Sequence, residues 1–254
     1  MIYIEQIPVM NDNYIYILVD KGTNQTACVD PGVAPEVINY LDNKNLGLNF
    51  ILNTHHHADH IGGNITLKER YGCKVVGNKN DANRIPGIDI FMEEGDQLSI
   101  GNSVCSILEV SGHTNGHISY FFEKDFALFC GDTLFSLGCG RLFEGTPSQM
   151  VRSLKKIRSL PDDTKIYCAH EYTEANSRFA NYLTPDDGLL KKKIIEIKEK
   201  RSRNIPTIPT ILSEEKKLNP FLKFDDKSYL DSIGMDFMSS SINFGRIRKL
   251  KDKF

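Results

Sequence analysis

The sequence predicts an α/β domain of layered sheets and helices, followed by a smaller helical domain. Segments rich in β-branched and aromatic residues alternate with segments of helical periodicity as far as about residue 170. Histidine or aspartate residues follow directly on the ends of several of these predicted strands. Beyond residue 170, helical periodicity continues without a convincing long strand. We therefore predict a first domain of residues 1–170 and a second domain of residues 171–254.

The composition limits the classes of protein that fit. The chain has 254 residues, of which 40% are hydrophobic and 25% charged, as in an ordinary globular protein. A net charge of −2 argues against a nucleic-acid partner. Six cysteines without a Cys-x-x-Cys pair argue against a disulfide framework. The sequence shows no N-terminal leader pattern and no membrane-length apolar stretch, so we expect a cytoplasmic monomer without a membrane partner.

The first predicted strands cover residues 1–9 and 13–19, and a tight turn joins them. A third strand, residues 26–29, ends at Asp30, which is either a simple turn residue or a partner of a metal ligand. Apolar residues at helical spacing after a proline predict a helix over residues 35–44 that covers the sheet.

The next predicted strand, residues 49–53, leads into a histidine-rich segment. A helix is predicted after Asn64, and residues 74–76 are predicted to form another strand. A strand, a helix and a strand in this order indicate a parallel arrangement. Residues 80–95 are predicted as a polar loop.

The remaining strands of the first domain are predicted at residues 103–110, 119–122, 126–130 and 165–169, with the middle two forming a hairpin. Before the last strand, Thr146 and Gln149 fit a capping box that begins a core-facing helix. In the second domain, helices are predicted at residues 174–183, 187–203 and 244–254. Prolines separate these helices by extended connectors, and the basic run at residues 191–193 is interpreted as a solvated helix face.

All histidines of the chain fall in three short segments, which scattered core or surface histidines would not do. These are His55, His56, His57 and His60, then His113 and His117, and finally His170. Imidazole and carboxylate groups bind zinc, iron or manganese, and closely spaced ligands converge more easily from a loop than from a helix. With Asp59 and Asp132, the candidate ligands are too many for one tetrahedral zinc ion, so we expect two ions. Asp132 is the natural bridge between ions roughly 3.5–4 Å apart.

The motifs around these residues resemble those of a known superfamily. The ordered set is His55-x-His57-x-Asp59-His60, followed by His113, Asp132 and His170, and it is similar to the ligand set of the metallo-β-lactamase superfamily. Within that superfamily the chain closely resembles the glyoxalase II family, the hydroxyacylglutathione hydrolases. The segments that support this are residues 111–117, 131–135, 138–146, 170–173, 219–221 and 248–252. The resemblance covers nearly the full length.

The resemblance implies an αββα sandwich followed by a helical substrate domain. It implies one ion held by His55, His57 and His113, and a second held by Asp59, His60 and His170, with Asp132 bridging them. His56 and His117 match the motifs outside the ligand positions, so we expect them to support the ligands. The implied glutathione-binding residues are Arg141, Tyr172, Arg248 and Lys251. Phe143 stands where some relatives have tyrosine, which removes a hydroxyl.

The implied activity is hydrolysis of S-(2-hydroxyacyl)glutathione thioesters, typically S-D-lactoylglutathione to D-lactate and glutathione in methylglyoxal detoxification. A metal-bound hydroxide is expected to attack the thioester carbonyl, with Asp59 and Asp132 as catalytic residues. Two divalent ions are expected, zinc first, with iron or manganese as alternatives. Cys139 is interpreted as a turn residue and not as a nucleophile. A glutathione persulfide dioxygenase with one iron, or a metal-dependent phosphodiesterase or nuclease of the same fold, are the competing hypotheses.

Overall fold

The computed structural model describes residues 1–254 and divides into two compact units. The first unit consists of Met1–Glu109 and Asn115–Gly131, and the second of Val110–Thr114 and Asp132–Phe254. The domain boundary between residues 170 and 171 stays a prediction.

A mixed six-stranded sheet forms one layer of the first unit. Its strands are β1 (Ile2–Val9), β2 (Asn13–Asp20), β3 (Thr26–Val29), β4 (Phe50–Leu52), β5 (Lys74–Asn78) and β6 (Ile88–Met92). Strands β1 to β3 pair antiparallel, and β3 to β6 pair parallel, as the strand-helix-strand order indicates. The prediction that residues 80–95 form a loop is wrong for Ile88–Met92, which form β6. This half-buried edge strand has the sequence IDIFM, which is apolar apart from Asp89, whose carboxylate accepts a hydrogen bond from the Val75 N–H. Five residues within a polar segment are too short a run for the apolar signal to stand out.

Helices cover one face of this sheet. They are α1 (Pro35–Lys44), α2 (Ala58–Ile61) and α3 (Asn64–Tyr71). Val37 and Leu41 of α1 and Leu67 of α3 pack into one apolar core with Ile17 and Ile51 of the sheet. Helix α1 has the predicted bounds, with its proline in the first turn, where the missing N–H costs nothing.

A second, antiparallel layer completes the first unit. Its strands are β7 (Gln97–Ile100), β8 (Ser103–Glu109), β9 (Ile118–Phe122) and β10 (Ala127–Gly131). The two layers face each other. The rings of Tyr16 and Phe129 lie 5.4 Å apart between centroids, and the Tyr120 hydroxyl donates to the carbonyl of Asn53 at 2.9 Å.

The second unit is mainly helical. Its strands are β11 (Leu134–Phe135), β12 (Gly138–Cys139), β13 (Lys165–Cys168) and β14 (Thr210–Ile211), of which β11 pairs with β12 and β13 with β14. Its helices are α4 (Pro147–Arg158), α5 (Thr173–Leu183), α6 (Gly188–Ser202), α7 (Leu212–Leu218), α8 (Lys227–Ser232) and α9 (Ser240–Lys253). The capping box of Thr146 and Gln149 at α4 is present as predicted. No helix in either unit combines the length and apolarity that crossing a membrane requires.

Candidate active site

The histidine-rich segment of the first unit follows β4 as a loop that leads into α2. His57 is the N-cap residue of that helix and has an extended conformation, so His55 and His57 are not confined to helical spacing. Asp59 and His60, in contrast, lie in the helix. His55 is fully buried, and its Nε2 lies 3.0 Å from Nδ1 of His57. Two imidazole nitrogens therefore converge on one point, as two ligands of a single ion would.

Asp30 holds this segment in place through hydrogen bonds. It is buried, and its Oδ1 accepts the Thr54 N–H while its Oδ2 accepts the Thr54 hydroxyl, both at 2.7 Å. The same Oδ2 lies 3.0 Å from Nδ1 of His60. The ligand atoms of Asp30, His55 and His60 lie close enough to hold an ion, but both Asp30 oxygens are already engaged by the loop. Asp30 therefore orients His60 and leaves Nε2 of His60 as the candidate ligand atom.

The two other histidines of the first unit support the segment. His56 lies 3.0 Å from the buried carboxylate of Asp81, which also accepts the Nε–H of Arg84 at 3.1 Å. His117 is buried and stacks on His55, with centroids 4.6 Å apart. Both histidines therefore hold the ligand loop in place.

Asn13 and Asp81 contact candidate site residues and were not predicted from the sequence. The Asn13 amide donates to Oδ2 of Asp59 at 2.9 Å, which fixes that carboxylate. Asn13 is the first residue of β2, and no motif distinguishes it from an ordinary turn residue. Asp81 lies in a polar segment, and its contact with His56 spans 25 positions.

In the second unit, Asp132 lies between two histidines. Its Oδ2 is 3.4 Å from Nε2 of His113, and its Oδ1 is 3.3 Å from Nε2 of His170. Nδ1 of His113 donates to the carbonyl of Arg141 at 2.9 Å, which directs Nε2 toward the carboxylate. Each oxygen of Asp132 thus faces a different imidazole, the arrangement expected of a carboxylate shared by two ions.

The hairpin of β11 and β12 links Asp132 to Arg141 and is clamped by buried polar groups. The Glu215 carboxylate accepts the Leu137 N–H at 2.8 Å, and the Asn219 amide donates to the carbonyls of Phe135 and Gly138 at 3.1 and 3.0 Å. Leu137 has a positive φ of 56°, a conformation that costs energy for a non-glycine residue. Burial raises the pKa of Glu215, and its surrounding donors oppose that rise. The clamp therefore fixes the position of the residues on both sides of the hairpin.

A cavity of about 540 Å³ in the second unit brings together all but one of the predicted site residues of that unit, the exception being His170. Its lining includes the ligand candidates His113 and Asp132 and all four predicted substrate residues, Arg141, Tyr172, Arg248 and Lys251. The Tyr172 ring stacks parallel on His170 with centroids 4.7 Å apart. A molecule in this cavity would therefore meet cationic groups and metal ligands at once.

The cations of the cavity differ in their surroundings. Arg248 is buried, and its guanidinium donates to the carbonyl of Cys139 at 3.0 Å and pairs with Asp252 at 2.9 Å. Lys251 donates to the carbonyl of Ala175 at 3.2 Å. Burial, and then the neighbouring cations, lower the pKa of Lys251 to about 8. Arg141 is exposed.

Phe143 and Cys139, which the sequence analysis also discussed, line the same cavity. Phe143 is largely exposed, and its ring forms a T-shaped contact with the His113 ring, with centroids 5.2 Å apart. Burial raises the pKa of the Cys139 thiol to about 11, which keeps it protonated at neutral pH and unsuited to nucleophilic attack.

Comparison with known proteins places these features in a family. Residues 11–170 match the model of the metallo-β-lactamase superfamily, and residues 171–254 match that of the hydroxyacylglutathione hydrolase C-terminus. The hydroxyacylglutathione hydrolase of Methylococcus capsulatus is 47% identical over 254 residues, which are 100% of this chain and 99% of that protein. The chain belongs to the hydroxyacylglutathione hydrolase family. The hydroxyacylglutathione hydrolase of Pelagibacter ubique is also 47% identical, over 99% of both chains.

Solved structures share the fold of this chain. ETHE1 from Myxococcus xanthus superposes with a TM-score of 0.71 at 26% identity, covering 97% of this chain and 90% of that chain. TTHA1623, solved in a di-iron-bound form, gives a TM-score of 0.57 at 26% identity over 66% of this chain and 91% of that chain. The metallo-β-lactamase fold with a helical C-terminal part, the enzyme class and the family predicted from the motifs are all confirmed.

Proposed function

We propose that this protein hydrolyses S-(2-hydroxyacyl)glutathione thioesters, with S-D-lactoylglutathione as the typical substrate and D-lactate and glutathione as products. The observation that carries the proposal is the cavity of the second unit, where His113 and Asp132 share one lining with Arg248 and Lys251. Glutathione bears carboxylates away from its sulfur, so a cationic wall beside a metal-binding wall suits a thioester of this peptide. The name shared by the curated relatives supports the same substrate.

We further propose that seven side chains hold two divalent ions. They are His55, His57 and His113 for one ion, Asp59, His60 and His170 for the other, and Asp132 as the bridge. Supporting this set are the convergent nitrogens of His55 and His57 and the two-sided position of Asp132. Imidazole and carboxylate donors without a thiolate accept zinc, which we expect first, and also iron or manganese. The di-iron form of TTHA1623 is in keeping with two ions and with iron as an alternative.

The chain's own residues prepare the substrate for attack. When bound, divalent ions acidify water and polarise a carbonyl oxygen, the chemistry that thioester hydrolysis requires. Asp59, fixed by Asn13, and Asp132 are the acidic residues that we expect to orient the attacking water by accepting its hydrogen bond. Arg141, Arg248 and Lys251 hold the peptide carboxylates, and the Tyr172 ring lies against His170 at the side of the cavity. The reaction needs no protein nucleophile, consistent with the protonated thiol of Cys139.

The two family models meet at residues 170 and 171, which supports our proposal that the substrate-binding domain begins at residue 171. The monomeric state and the cytoplasmic location stay predictions.

The direct test is hydrolysis of S-D-lactoylglutathione by protein whose metal content has been measured. We expect release of one thiol for each thioester consumed, and loss of activity after a chelator removes the ions. The dioxygenase alternative gives a different result, because glutathione persulfide would be consumed together with oxygen and the glutathione thioester would not. Oxygen uptake without thioester hydrolysis would therefore refute the proposal.

A further inference from the structure

A second, smaller cavity of about 280 Å³ continues from the substrate cavity of the second unit. The two cavities share four lining residues, Arg141, Phe143, Arg248 and Asp252. Of these two cavities, Lys249 lines the smaller and not the larger, and Lys251 lines the larger and not the smaller. Residues two positions apart on a helix point to different faces, so α9 presents one lysine to each cavity. No predicted metal ligand lines the smaller cavity.

The smaller cavity offers cations that the protein itself leaves available. Arg141 and Lys249 are both exposed, and neither side chain forms an ion pair. Arg248, by contrast, is paired with Asp252, with 2.9 Å between Nη2 and Oδ1. The Asp252 side chain is 45% exposed, so its carboxylate can accept further hydrogen bonds. The cavity therefore combines two uncommitted cations with one accessible carboxylate.

This charge pattern fits an α-amino-acid head group and not a lone carboxylate. In glutathione the γ-glutamyl end carries both a carboxylate and an ammonium, whereas the glycine end carries only a carboxylate. The γ-glutamyl carboxylate also lies more bonds from the sulfur than the glycine carboxylate does. The longer arm suits the cavity without metal ligands, and the shorter arm suits the cavity that His113, Asp132 and Lys251 line.

We propose that the smaller cavity binds the γ-glutamyl head of the substrate, with Lys249 and Arg141 holding its carboxylate and Asp252 accepting from its ammonium. The proposal rests on the proposed function and extends it to a subsite that sets specificity for the γ-glutamyl group. Arg248 lines both cavities, so the bound peptide would pass beside it from one cavity to the other.

The test compares Lys249→Ala with Lys253→Ala, an equal loss of charge on the same helix at an exposed residue that lines neither cavity. Each variant is assayed with S-D-lactoylglutathione and with the S-D-lactoyl thioester of N-acetylcysteinylglycine, which lacks the γ-glutamyl head. We expect Lys249→Ala to raise KM for the glutathione thioester about three- to fivefold with kcat unchanged, the size of an exposed ion pair. With the N-acetyl thioester, its KM should equal that of the unmodified protein. A KM change that matches Lys253→Ala, or that persists with the N-acetyl thioester, would overturn the subsite.

A binding measurement separates this subsite from the catalytic proposal. Calorimetry with S-methylglutathione, which cannot be hydrolysed, should show the same loss of affinity for Lys249→Ala and none for Lys253→Ala. If the unmodified protein does not hydrolyse S-D-lactoylglutathione, the proposed function fails, while the calorimetric comparison still decides whether the subsite exists. Equal affinities for the two variants would contradict it.

Discussion

The two units hold their predicted metal ligands in different ways. In the first unit, the four ligands lie in one continuous segment of six residues, and a single buried carboxylate, Asp30, braces it from below. In the second unit, the three ligands come from separate segments at positions 113, 132 and 170. There a main-chain carbonyl orients His113, and Glu215 clamps the hairpin that follows Asp132.

Because of this difference, metal binding and substrate recognition can be examined separately. The residues that contact the first ligand set, such as Asp30, only hold its side chains in place. Substitutions of these supporting residues should therefore change metal affinity and leave substrate recognition unchanged. In the second unit, His113 and Asp132 line the same cavity as the glutathione-binding candidates. We therefore expect some substitutions in this unit to change metal content and others to change KM. Variants of each unit can therefore test whether the two units differ in this way.

The largest effect is expected for Asp132→Ala, because this carboxylate is proposed to serve both ions. We expect lower occupancy of both metal sites and a loss of activity of more than about 100-fold, beyond what removing an orienting partner costs. Elemental analysis of variant and unmodified protein, prepared with the same metal supply, checks the occupancy. Full occupancy by two ions in the variant would exclude the bridging role.

A smaller effect is expected behind the first ligand set, for Asp30→Asn. An amide cannot accept from all three groups that Asp30 now serves, so His60 loses its orientation. Metal affinity should fall roughly 10–100-fold while KM at saturating metal stays unchanged. Competition with a chromophoric chelator measures the affinity.

Asp20→Asn is the matched control, because Asp20 is equally buried in the same unit but serves Ser103 and a turn. It should keep its metal affinity. Equal losses of affinity in the two aspartate variants would show that Asp30 acts only through general stability.

Local signals in the sequence predicted the first unit's ligand segment, whereas the supports of the second unit were not predictable. The bounds of α1 and the capping box of Thr146 follow from neighbouring residues, as does the spacing of the first ligand set. The contacts of Glu215 with Ser136 and Leu137 span 79 and 78 positions, so no local pattern announces them. Helix α9 begins at Ser240, earlier than the predicted residue 244. Its Asn243 is buried and donates to the carbonyl of Phe224, a tertiary contact that overrides weak helix propensity.

A still smaller, pH-dependent effect is expected in the second unit from Lys251, whose pKa is lowered to about 8. The groups around it are Arg248 and Asp252 on its own helix, Arg178 on α5, and Arg141. A lysine with a lowered pKa is charged below that value and loses its charge as pH rises through it. The kcat/KM for the glutathione thioester should therefore fall between pH 7 and pH 9, by about tenfold at most.

Lys251→Arg isolates this contribution, because arginine stays charged throughout that range. Its kcat/KM should fall less steeply over the same interval. Identical profiles for the two proteins would assign the pH dependence to other groups.

A ratio of kcat/KM values tests the claim that one cavity of the second unit joins metal chemistry to glutathione recognition. The ratio compares S-D-lactoylglutathione with a small lactoyl thioester that lacks the peptide, in unmodified protein and in the double variant Arg248→Ala, Lys251→Ala. We predict that the variant keeps its metal content and its activity on the small thioester. Its preference for the glutathione thioester should fall by about 30-fold, the effect of about 2 kcal/mol from buried charge contacts, mainly through KM. An unchanged ratio in a folded, metal-loaded variant would contradict the claim.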